Sequence, residues 1–172
     1  KPTIIIIPEY KKPDIKTYKK GLKLVTVKTI RGPINVQNPQ INSLSKLNCI
    51  LACIEANKKN ADEALMFDIN GNIATNNSTH FFFVKNKTVF TSTGKYCVTG
   101  ITRQKIIDIC KKNKIKVKEK NFKLNEVLNA DEAFCTGSFA GIVPVNQINK
   151  KKYSLKKNPI TKELTNFYNN LF

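Results

Sequence analysis

The middle of the chain constrains the fold most, because it consists of short strand-like segments joined by tight turns. Ala64–Asp68 is a short apolar segment, and the Asn70-Gly71 pair that follows it is a strong turn signal. Phe81–Lys85 and Thr88–Thr91 are rich in aromatic and β-branched residues and predict a hairpin closed near Asn86-Lys87. A β-sheet is therefore expected in this fold.

Helices and further strands are predicted on both sides of this region. Ser45 to about Lys58 is predicted as a helix, because apolar residues recur there at the 3–4 spacing of one helix face. Those residues are Leu47, Ile50, Leu51 and Ile54. Two more helices are expected, at Thr102–Lys112 and Pro159–Leu171. The other predicted strands are Ile4–Pro8, Leu22–Ile30, Lys114–Glu119, Glu132–Thr136 and Ile142–Ile148. This succession predicts a single α+β domain over residues 1–172, a length that suits one core.

The chain is strongly basic, with 30 basic residues, 12 acidic residues and a formal net charge of +18. Arg31 and Arg103 are its only arginines, and the other basic residues are lysines. Nucleic-acid readers favour arginine for bidentate contacts, so most of the lysine excess is interpreted as the codon bias of an AT-rich genome on solvated faces. The charge would still attract polyanions, which leaves RNA or another polyanion as a candidate partner.

Five cysteines form no CxxC pair and accompany a single histidine, His80. No metal site is expected from so few ligands at close spacing. The cysteines are interpreted as small core thiols in a reducing compartment, which predicts an intracellular protein of the cytoplasm or of an organelle matrix, such as that of a mitochondrion.

The amino-terminal segment predicts neither a membrane span nor a secretory signal. Its longest apolar run is Ile4–Ile7, far short of the roughly 18 residues that a spanning helix needs. It also lacks the charged, apolar and small-residue order of a signal peptide. The first residue is Lys1 rather than Met, as expected for a processed chain, a domain or a fragment.

A series of motifs resembles the class IV aminotransferases, which are enzymes that use pyridoxal phosphate (PLP). The stretch from Pro39 to Leu44, followed by a helical run ending at Glu55-Ala56, is similar to the catalytic segment of that family. The other motifs are Ala61–Leu65 with Asp68 and Gly71, then Phe82, Val84-Lys85 and Thr91, Cys97 with Gly100–Arg103, Ala130–Glu132 with Phe134 and Thr136-Gly137, Pro144-Val145, and Pro159–Thr161. Their order along the chain makes the resemblance specific, unlike any one motif alone.

The resemblance is to the large C-terminal domain of branched-chain and D-amino-acid aminotransferases and aminodeoxychorismate lyases. It implies a mixed β-sheet or pseudo-barrel with flanking helices, assembled as a homodimer or in a larger protein assembly. The small N-terminal domain of the family carries an arginine that grips the PLP phosphate, and it is expected to be absent from this chain.

Asn42 stands where the family has the lysine that forms the Schiff base with PLP. A carboxamide has no nucleophilic amine, so Asn42 cannot form that bond. Lys46 lies one helical turn further on, where many relatives carry a tyrosine near the PLP ring oxygen, and it is the candidate for a displaced Schiff-base residue. Burial beside an apolar wall would favour its neutral amine. The alternative is a solvated lysine.

Three further positions depart from the reactive part of the family site. Thr75 replaces the glutamate that keeps the pyridine nitrogen protonated, and a hydroxyl cannot hold that proton. His80 replaces an asparagine and is interpreted as a structural residue on a phenylalanine-rich strand. Gly141 replaces a second glutamate. These losses are hard to reconcile with ordinary transamination.

Two phosphate-binding segments of the family remain. Gly100-Ile101-Thr102 opens a helix, where free backbone N–H groups and the helix dipole favour anions, and Thr102 could cap the helix or donate to a phosphate oxygen. Thr136-Gly137-Ser138 is a glycine turn with two hydroxyls. Either segment alone is typical of capping or turn chemistry. Together, in the order of the family, they predict a retained or vestigial anion site.

The preferred interpretation is therefore a catalytically degenerate aminotransferase-like protein, kept as a structural or binding module with a vestigial PLP site or none. One alternative is an active PLP enzyme of branched-chain or related amino acids, which would use Lys46 or carry an engineered Asn42. The other alternative is a basic component of an organellar ribonucleoprotein.

Overall fold

A nine-stranded mixed sheet organises the chain in the computed structural model, which describes residues 2–171. The strands are β1 (Leu22–Thr26), β2 (Glu63–Phe67), β3 (Ile73–Asn76), β4 (His80–Lys85), β5 (Thr88–Thr91), β6 (Val117–Glu119), β7 (Glu132–Gly137), β8 (Gly141–Ile148) and β9 (Lys151–Lys152). Their spatial order is β3-β2-β1-β8-β7-β4-β5-β6, with β9 paired to β8. The pairs β1/β2, β1/β8 and β5/β6 are parallel, and the other pairs are antiparallel.

Five helices among the described residues flank the sheet and complete the predicted α+β class. They are α1 (Ile15–Lys20), α2 (Leu47–Lys58), α3 (Ile101–Lys112), α4 (Leu124–Leu128) and α5 (Pro159–Asn169). The buried Glu132 carboxylate of β7 fixes the start of α5, where it accepts hydrogen bonds from the backbone N–H groups of Ile160 (3.1 Å) and Thr161 (2.7 Å). Within residues 2–171, no helix combines the length and the apolar character required to span a membrane.

The predicted hairpin is confirmed as β4 and β5. Its two loop residues, Asn86 and Lys87, have φ values of 48° and 58°, as in a two-residue type I′ turn whose twist suits the flanking strands. The side chains of β4 alternate between the two faces of the sheet. Phe81 and Phe83 belong to one apolar cluster and Phe82 to another, so this single strand connects two cores.

The first of these cores lies inside the curled sheet. Strands β1, β2, β3, β4, β7 and β8 all contribute buried side chains to it, and α4 covers it with Val127. The second core lies on the outer face, under α3 and α5, and contains Ile106, Phe134 and Leu164. A smaller third core joins α2 to β2. The first core joins side chains of strands that are far apart in the sheet order, from β3 to β4. The sheet therefore has to curl, as the predicted pseudo-barrel requires.

The amino-terminal predictions are partly wrong. Ile4–Pro8 is not a strand, and the isoleucine side chains Ile4–Ile7 are 76–86% exposed, because no neighbouring strand pairs with them within residues 2–171. The predicted strand Leu22–Ile30 ends early, at Thr26. The lysine-rich segment between these two predicted strands forms α1, which the Asp14 carboxylate caps by accepting from the Lys16 N–H at 2.9 Å.

Helix α2 forms as predicted, but its apolar stripe does not face the core. It packs on β1 and β2 through Ala52 and Ala56, which are fully buried. Leu47 and Ile50 are 67% and 53% exposed on the other side. Small alanines let the helix approach the sheet closely, so the 3–4 spacing correctly indicates a helix without indicating which side it buries.

Candidate ligand-binding site

A cavity of about 560 Å³ is bordered by the start of α3 and by residues of strands β3, β4 and β7. Its walls are the loop of residues 31–46, the first turn of α2, β3 and the turn after it, the start of α3, and the end of β7. The sequence-predicted site residues all line it: Asn42, Lys46, Thr75, Gly100, Ile101, Thr102, Thr136, Gly137 and Ser138. Residues that are far apart in the chain therefore share one cavity, as the motif order implied.

One end of the cavity is formed by the start of α3. Gly100 is the N-cap residue with extended backbone (φ −63°, ψ 147°), and a side chain there would meet nothing within 4 Å, so its backbone borders open space. The first turn of α3 contains no acidic residue. Its N–H groups lack intrahelical acceptors and carry the positive end of the helix dipole. Thr102 is buried in this turn as the second helical residue, and it does not cap the helix because Gly100 holds the N-cap position.

Thr136 supplies a buried hydroxyl to the cavity that this helix start also lines. The residue is 2% exposed on β7, where it pairs with His80 of β4 and Ile142 of β8. Its Oγ1 atom has no hydrogen-bond partner among residues 2–171. A buried hydroxyl left without a partner costs about 1–3 kcal/mol. An acceptor in the cavity would remove that cost. Ser138 is exposed at the rim, two residues further along.

The charges around the cavity are all positive among the described residues. Both arginines of the chain and Lys46 line it, and no Asp or Glu does. Arg31 is 8% exposed and donates to neutral acceptors, which include the Tyr96 and Pro39 carbonyl oxygens at 3.0 and 3.3 Å. Arg103, by contrast, forms an ion pair of 2.7 Å with Glu119. A cavity with this surround favours an anion.

His80 has the structural role that its position on a phenylalanine-rich strand predicted. It is buried, and burial together with the neighbouring Arg103 guanidinium lowers its pKa from 6.5 to about 3. The neutral ring accepts a hydrogen bond from Arg103 Nε at 3.1 Å and lies 2.7 Å from the Thr91 hydroxyl. Although His80 lines the cavity, it is not a base that titrates near neutral pH.

Asn42 and Lys46 lie on the loop side of the cavity, and both are exposed. The apolar surroundings that a displaced Schiff-base lysine would need are therefore not present around Lys46. Thr75 is buried and donates its hydroxyl hydrogen to the Thr79 carbonyl oxygen at 3.1 Å. The buried Glu63 lies behind this wall and accepts hydrogen bonds from the Ser78 and Thr79 hydroxyls. Burial raises its pKa.

These contacts determine which part of PLP fits the cavity. The helix start and the unpartnered Thr136 hydroxyl suit its phosphate. The aldehyde end has no matching group, because the amide of Asn42 is not a nucleophile. The ring nitrogen has no anionic partner, because no carboxylate lines the described cavity. The site therefore fits the phosphate group of PLP. It lacks the amine that would bond to the aldehyde and the carboxylate that would keep the ring nitrogen protonated.

The glycine at position 141 has a backbone explanation. Gly141 has φ 61°, and a Cβ atom there would lie 2.8 Å from Cε1 of Tyr168 on α5. A glutamate would be strained in this conformation and would displace the tyrosine ring. The departure from the family at this position thus goes together with a local packing of α5 against β8.

Sequence reasoning did not identify Arg31, Arg103, Cys49 and Cys97 as part of this site, although all four line it. The signal for the arginines was their rarity in a lysine-rich chain. The cysteines were interpreted together as core thiols, but only Cys97, Cys110 and Cys135 are buried, and Cys49 and Cys53 are half-buried. Within residues 2–171, no group of three or more His, Cys, Asp and Glu side chains is placed to hold a metal ion.

Comparisons with known proteins agree with the predicted family. The family model of amino-transferase class IV matches residues 1–148. The chain is 35% identical over 170 residues to branched-chain-amino-acid aminotransferase-like protein 2 of Arabidopsis thaliana, which covers 98% of this chain and 30% of that protein. It is 31% identical over 150 residues to the branched-chain-amino-acid aminotransferase of Pseudomonas aeruginosa, which covers 86% of this chain and 49% of that protein. The chain thus spans 30% of the length of the first relative and 49% of the length of the second.

Solved structures agree as well. The branched-chain aminotransferase from Thermoproteus uzoniensis with norvaline has a TM-score of 0.83 and 27% identity, over 88% of this chain and 51% of that chain. An aminotransferase from Brucella abortus bound to the cofactor PLP has a TM-score of 0.84 and 26% identity, over 96% and 56%. The fold predicted from the resemblance is confirmed, and the chain belongs to the class IV aminotransferase family.

Proposed function

We propose that this chain is a catalytically degenerate module of the class IV fold that binds a phosphorylated small molecule in the cavity without forming a Schiff base. The observation that carries the proposal is the unpartnered Thr136 hydroxyl in a cavity that the start of α3 and Asn42 also line. Phosphate-binding groups are kept while the family position of the nucleophile holds an amide.

The chemistry of the surrounding residues supports binding more than turnover. Bound PLP supplies an aldehyde and an electron-withdrawing ring to the enzymes that use it. In this chain, the N–H groups of α3 and the Thr136 hydroxyl can hold a phosphate, and Arg31 can balance its charge. The Thr75 hydroxyl hydrogen is already donated to Thr79, so it would have to leave that bond to reach a ring nitrogen.

Isothermal titration calorimetry with four probes tests this proposal: PLP, pyridoxamine phosphate, inorganic phosphate and unphosphorylated pyridoxal. We expect PLP and pyridoxamine phosphate to bind with similar affinity, because the aldehyde makes no bond. Pyridoxal is expected to bind at least roughly 10-fold more weakly, because it loses the charge-assisted hydrogen bonds. Equal binding of pyridoxal and PLP would contradict a phosphate site.

The active-enzyme alternative predicts a different outcome from the same probes. A Schiff base on Lys46 requires the aldehyde, so PLP would bind much more tightly than pyridoxamine phosphate. That difference should disappear in Lys46→Ala. The degenerate reading predicts that Lys46→Ala changes the two affinities equally, because the exposed ammonium contributes only charge.

The ribonucleoprotein alternative rests on charge. Exposed lysines follow the end of α3 and the edge strand β6: Lys111, Lys112, Lys114, Lys116 and Lys118. An RNA role predicts filter binding that weakens steeply between low and moderate salt. RNA binding that does not change with salt concentration would contradict the argument from charge for this alternative. The localisation that we propose is a reducing intracellular compartment, because all five cysteines are free thiols.

A further inference from the structure

Arg31 is a buried cation whose acceptors, among the described residues, are all neutral. It is 8% exposed, and its guanidinium donates to the Tyr96 and Pro39 carbonyl oxygens and to the Asn48 side-chain oxygen at 3.0, 3.3 and 3.1 Å. The remaining acceptor is the Cys49 sulfur, which lies 2.9 Å from Nη1. A buried charge is costly unless it meets an opposite charge. Cys49 is the one acceptor in this set that can become an anion.

The Cys49 sulfur lies where a ligand in the cavity can meet it. The side chain is half-buried and lines the cavity. Cys49 is also the third residue of α2, in a first helical turn that contains no acidic residue, so the helix dipole favours negative charge there. Reactive cysteines occur in such surroundings, at a helix start and beside an arginine.

The cavity in front of this sulfur attracts anions. Arg31, Lys46 and Arg103 line it, and no Asp or Glu does among the described residues. The buried Thr136 hydroxyl lines it as well, and within residues 2–171 that hydroxyl has no hydrogen-bond partner. Positive charge in a cleft raises the local concentration of anionic small molecules. An anionic reagent that enters the cavity is therefore brought to Cys49.

The other four cysteines lack this combination of features. Cys97 lines the cavity but is 2% exposed, and burial raises the pKa of its thiol. Burial also raises the pKa of Cys110, to about 12, and that of Cys135. Cys53 is half-buried further along α2 and does not line the cavity, and its sulfur accepts from the Asn57 amide at 3.8 Å. Partial exposure, a place in the cavity wall and a cationic partner thus coincide at one cysteine.

We propose that Cys49 is a modification site, at which its sulfur exchanges with small anionic disulfides to form a mixed disulfide. The Cys49 thiol gives its proton to solvent, and the thiolate attacks one sulfur of the reagent. The bond between the two reagent sulfurs breaks as the new S–S bond forms, and the departing thiolate takes up a proton. The Cys49 sulfur is oxidised and the departing half is reduced, so no further oxidant is needed.

The mixed disulfide has a consequence for the cavity. Because Cys49 lines it, the attached group occupies the space in which a ligand would bind. A thiol reductant removes the group again, so the block is reversible. The exchange itself does not require the phosphate ligand proposed above.

Timed modification of the native chain by two disulfides, followed by peptide mapping, tests the inference. The disulfide of thionitrobenzoate carries two carboxylates, and dithiodipyridine is uncharged. With the anionic reagent, Cys49 should react at least roughly 10-fold faster than Cys53, because the cavity attracts that reagent and Arg31 stabilises the thiolate. This ratio should be smaller with the uncharged reagent, and with the anionic reagent it should fall as salt is added.

Cys49→Ser and Cys53→Ser are matched variants, because each removes one half-buried thiol from the same helix. The fast reaction should be lost in Cys49→Ser alone. Arg31→Gln should slow the reaction of Cys49 with both reagents, and a thermal melt checks that this variant is folded. The comparison of the two cysteines in wild type does not need that variant.

Three results would each overturn the inference. They are equal rates at Cys49 and Cys53, a rate ratio that is the same for the charged and the uncharged reagent, and an unchanged rate at Cys49 in folded Arg31→Gln. No phosphate ligand is present in these reactions. Their outcome is therefore separate from that of the calorimetric titrations.

Discussion

Replacing Thr136 with valine should stabilise the free protein and weaken its binding of ligand. Both effects follow from the loss of one hydroxyl group. The Thr136 hydroxyl is buried and has no hydrogen-bond partner in the part of the chain that the structure describes. Thr136→Val exchanges it for a methyl group of similar size and removes an unmet desolvation cost of about 1–3 kcal/mol. For a chain of this length, about 1 kcal/mol corresponds to a rise of roughly 2–4 °C in Tm. Differential scanning calorimetry without ligand measures it.

The same change should weaken binding of pyridoxamine phosphate. A hydrogen bond to a charged group contributes about 1.5–3 kcal/mol, which corresponds to a loss of roughly 10- to 100-fold in affinity. Calorimetric titration of wild type and variant measures this loss. Because the ligand stabilises wild type more strongly, the stability advantage of the variant should shrink as pyridoxamine phosphate is added.

Thr91→Val is the matched control. Thr91 is also a fully buried strand threonine, but its hydroxyl donates to the Phe81 carbonyl oxygen at 2.9 Å and contacts His80. Its replacement should lower stability by about 1–2 kcal/mol. If Thr136→Val were destabilising to the same extent and left binding unchanged, the assignment of the Thr136 hydroxyl to a phosphate site would be refuted.

Three further outcomes follow from single buried contacts. Glu132→Ala should lower the free energy of unfolding in urea by about 2 kcal/mol, because the carboxylate caps α5. Glu132→Gln should lower it by less, and equal stability of both variants would contradict this role. Gly141→Ala should cost about 1–3 kcal/mol in the same assay, because φ is 61° and the new Cβ would approach Tyr168, and an unchanged urea midpoint would argue against that strain. His80 has a folded pKa of about 3, below the value of 6.5 for a free histidine, so the free energy of unfolding should be highest above pH 6.5 and should fall as pH drops toward 3, by on the order of 5 kcal/mol in total. NMR of this single histidine should show no titration between pH 8 and pH 5, and a midpoint near 6.5 would contradict its burial.

The sequence predicted those parts of the fold that depend on residues close together in the chain. Asn86-Lys87 closes a hairpin, and α2, α3 and α5 form where apolar periodicity placed them. The family motifs predicted which distant residues share the cavity, and all nine line it. Both successes come from patterns that are complete within short segments or within an ordered series of motifs.

The failures arise where a segment depends on partners that its own residues do not specify. Ile4–Ile7 have strong β-propensity, yet a strand needs a neighbour, and none pairs with them within residues 2–171. The face of α2 that packs on the sheet is the one with Ala52 and Ala56. The spacing of the larger apolar residues predicted a different face. The burial of Arg31 beside neutral acceptors was likewise invisible, because it depends on carbonyl oxygens of the folded loop.

The central claim is that the cavity binds a phosphate group while making no covalent bond to an aldehyde. The most direct measurement is a peptide map after borohydride reduction of the chain mixed with stoichiometric PLP, with and without excess inorganic phosphate. Because all basic residues except two arginines are lysines, adventitious adducts should be weak and spread over many peptides. We predict that no lysine is labelled preferentially and that phosphate does not change the pattern. A dominant pyridoxyl adduct on Lys46 that phosphate suppresses would contradict the account.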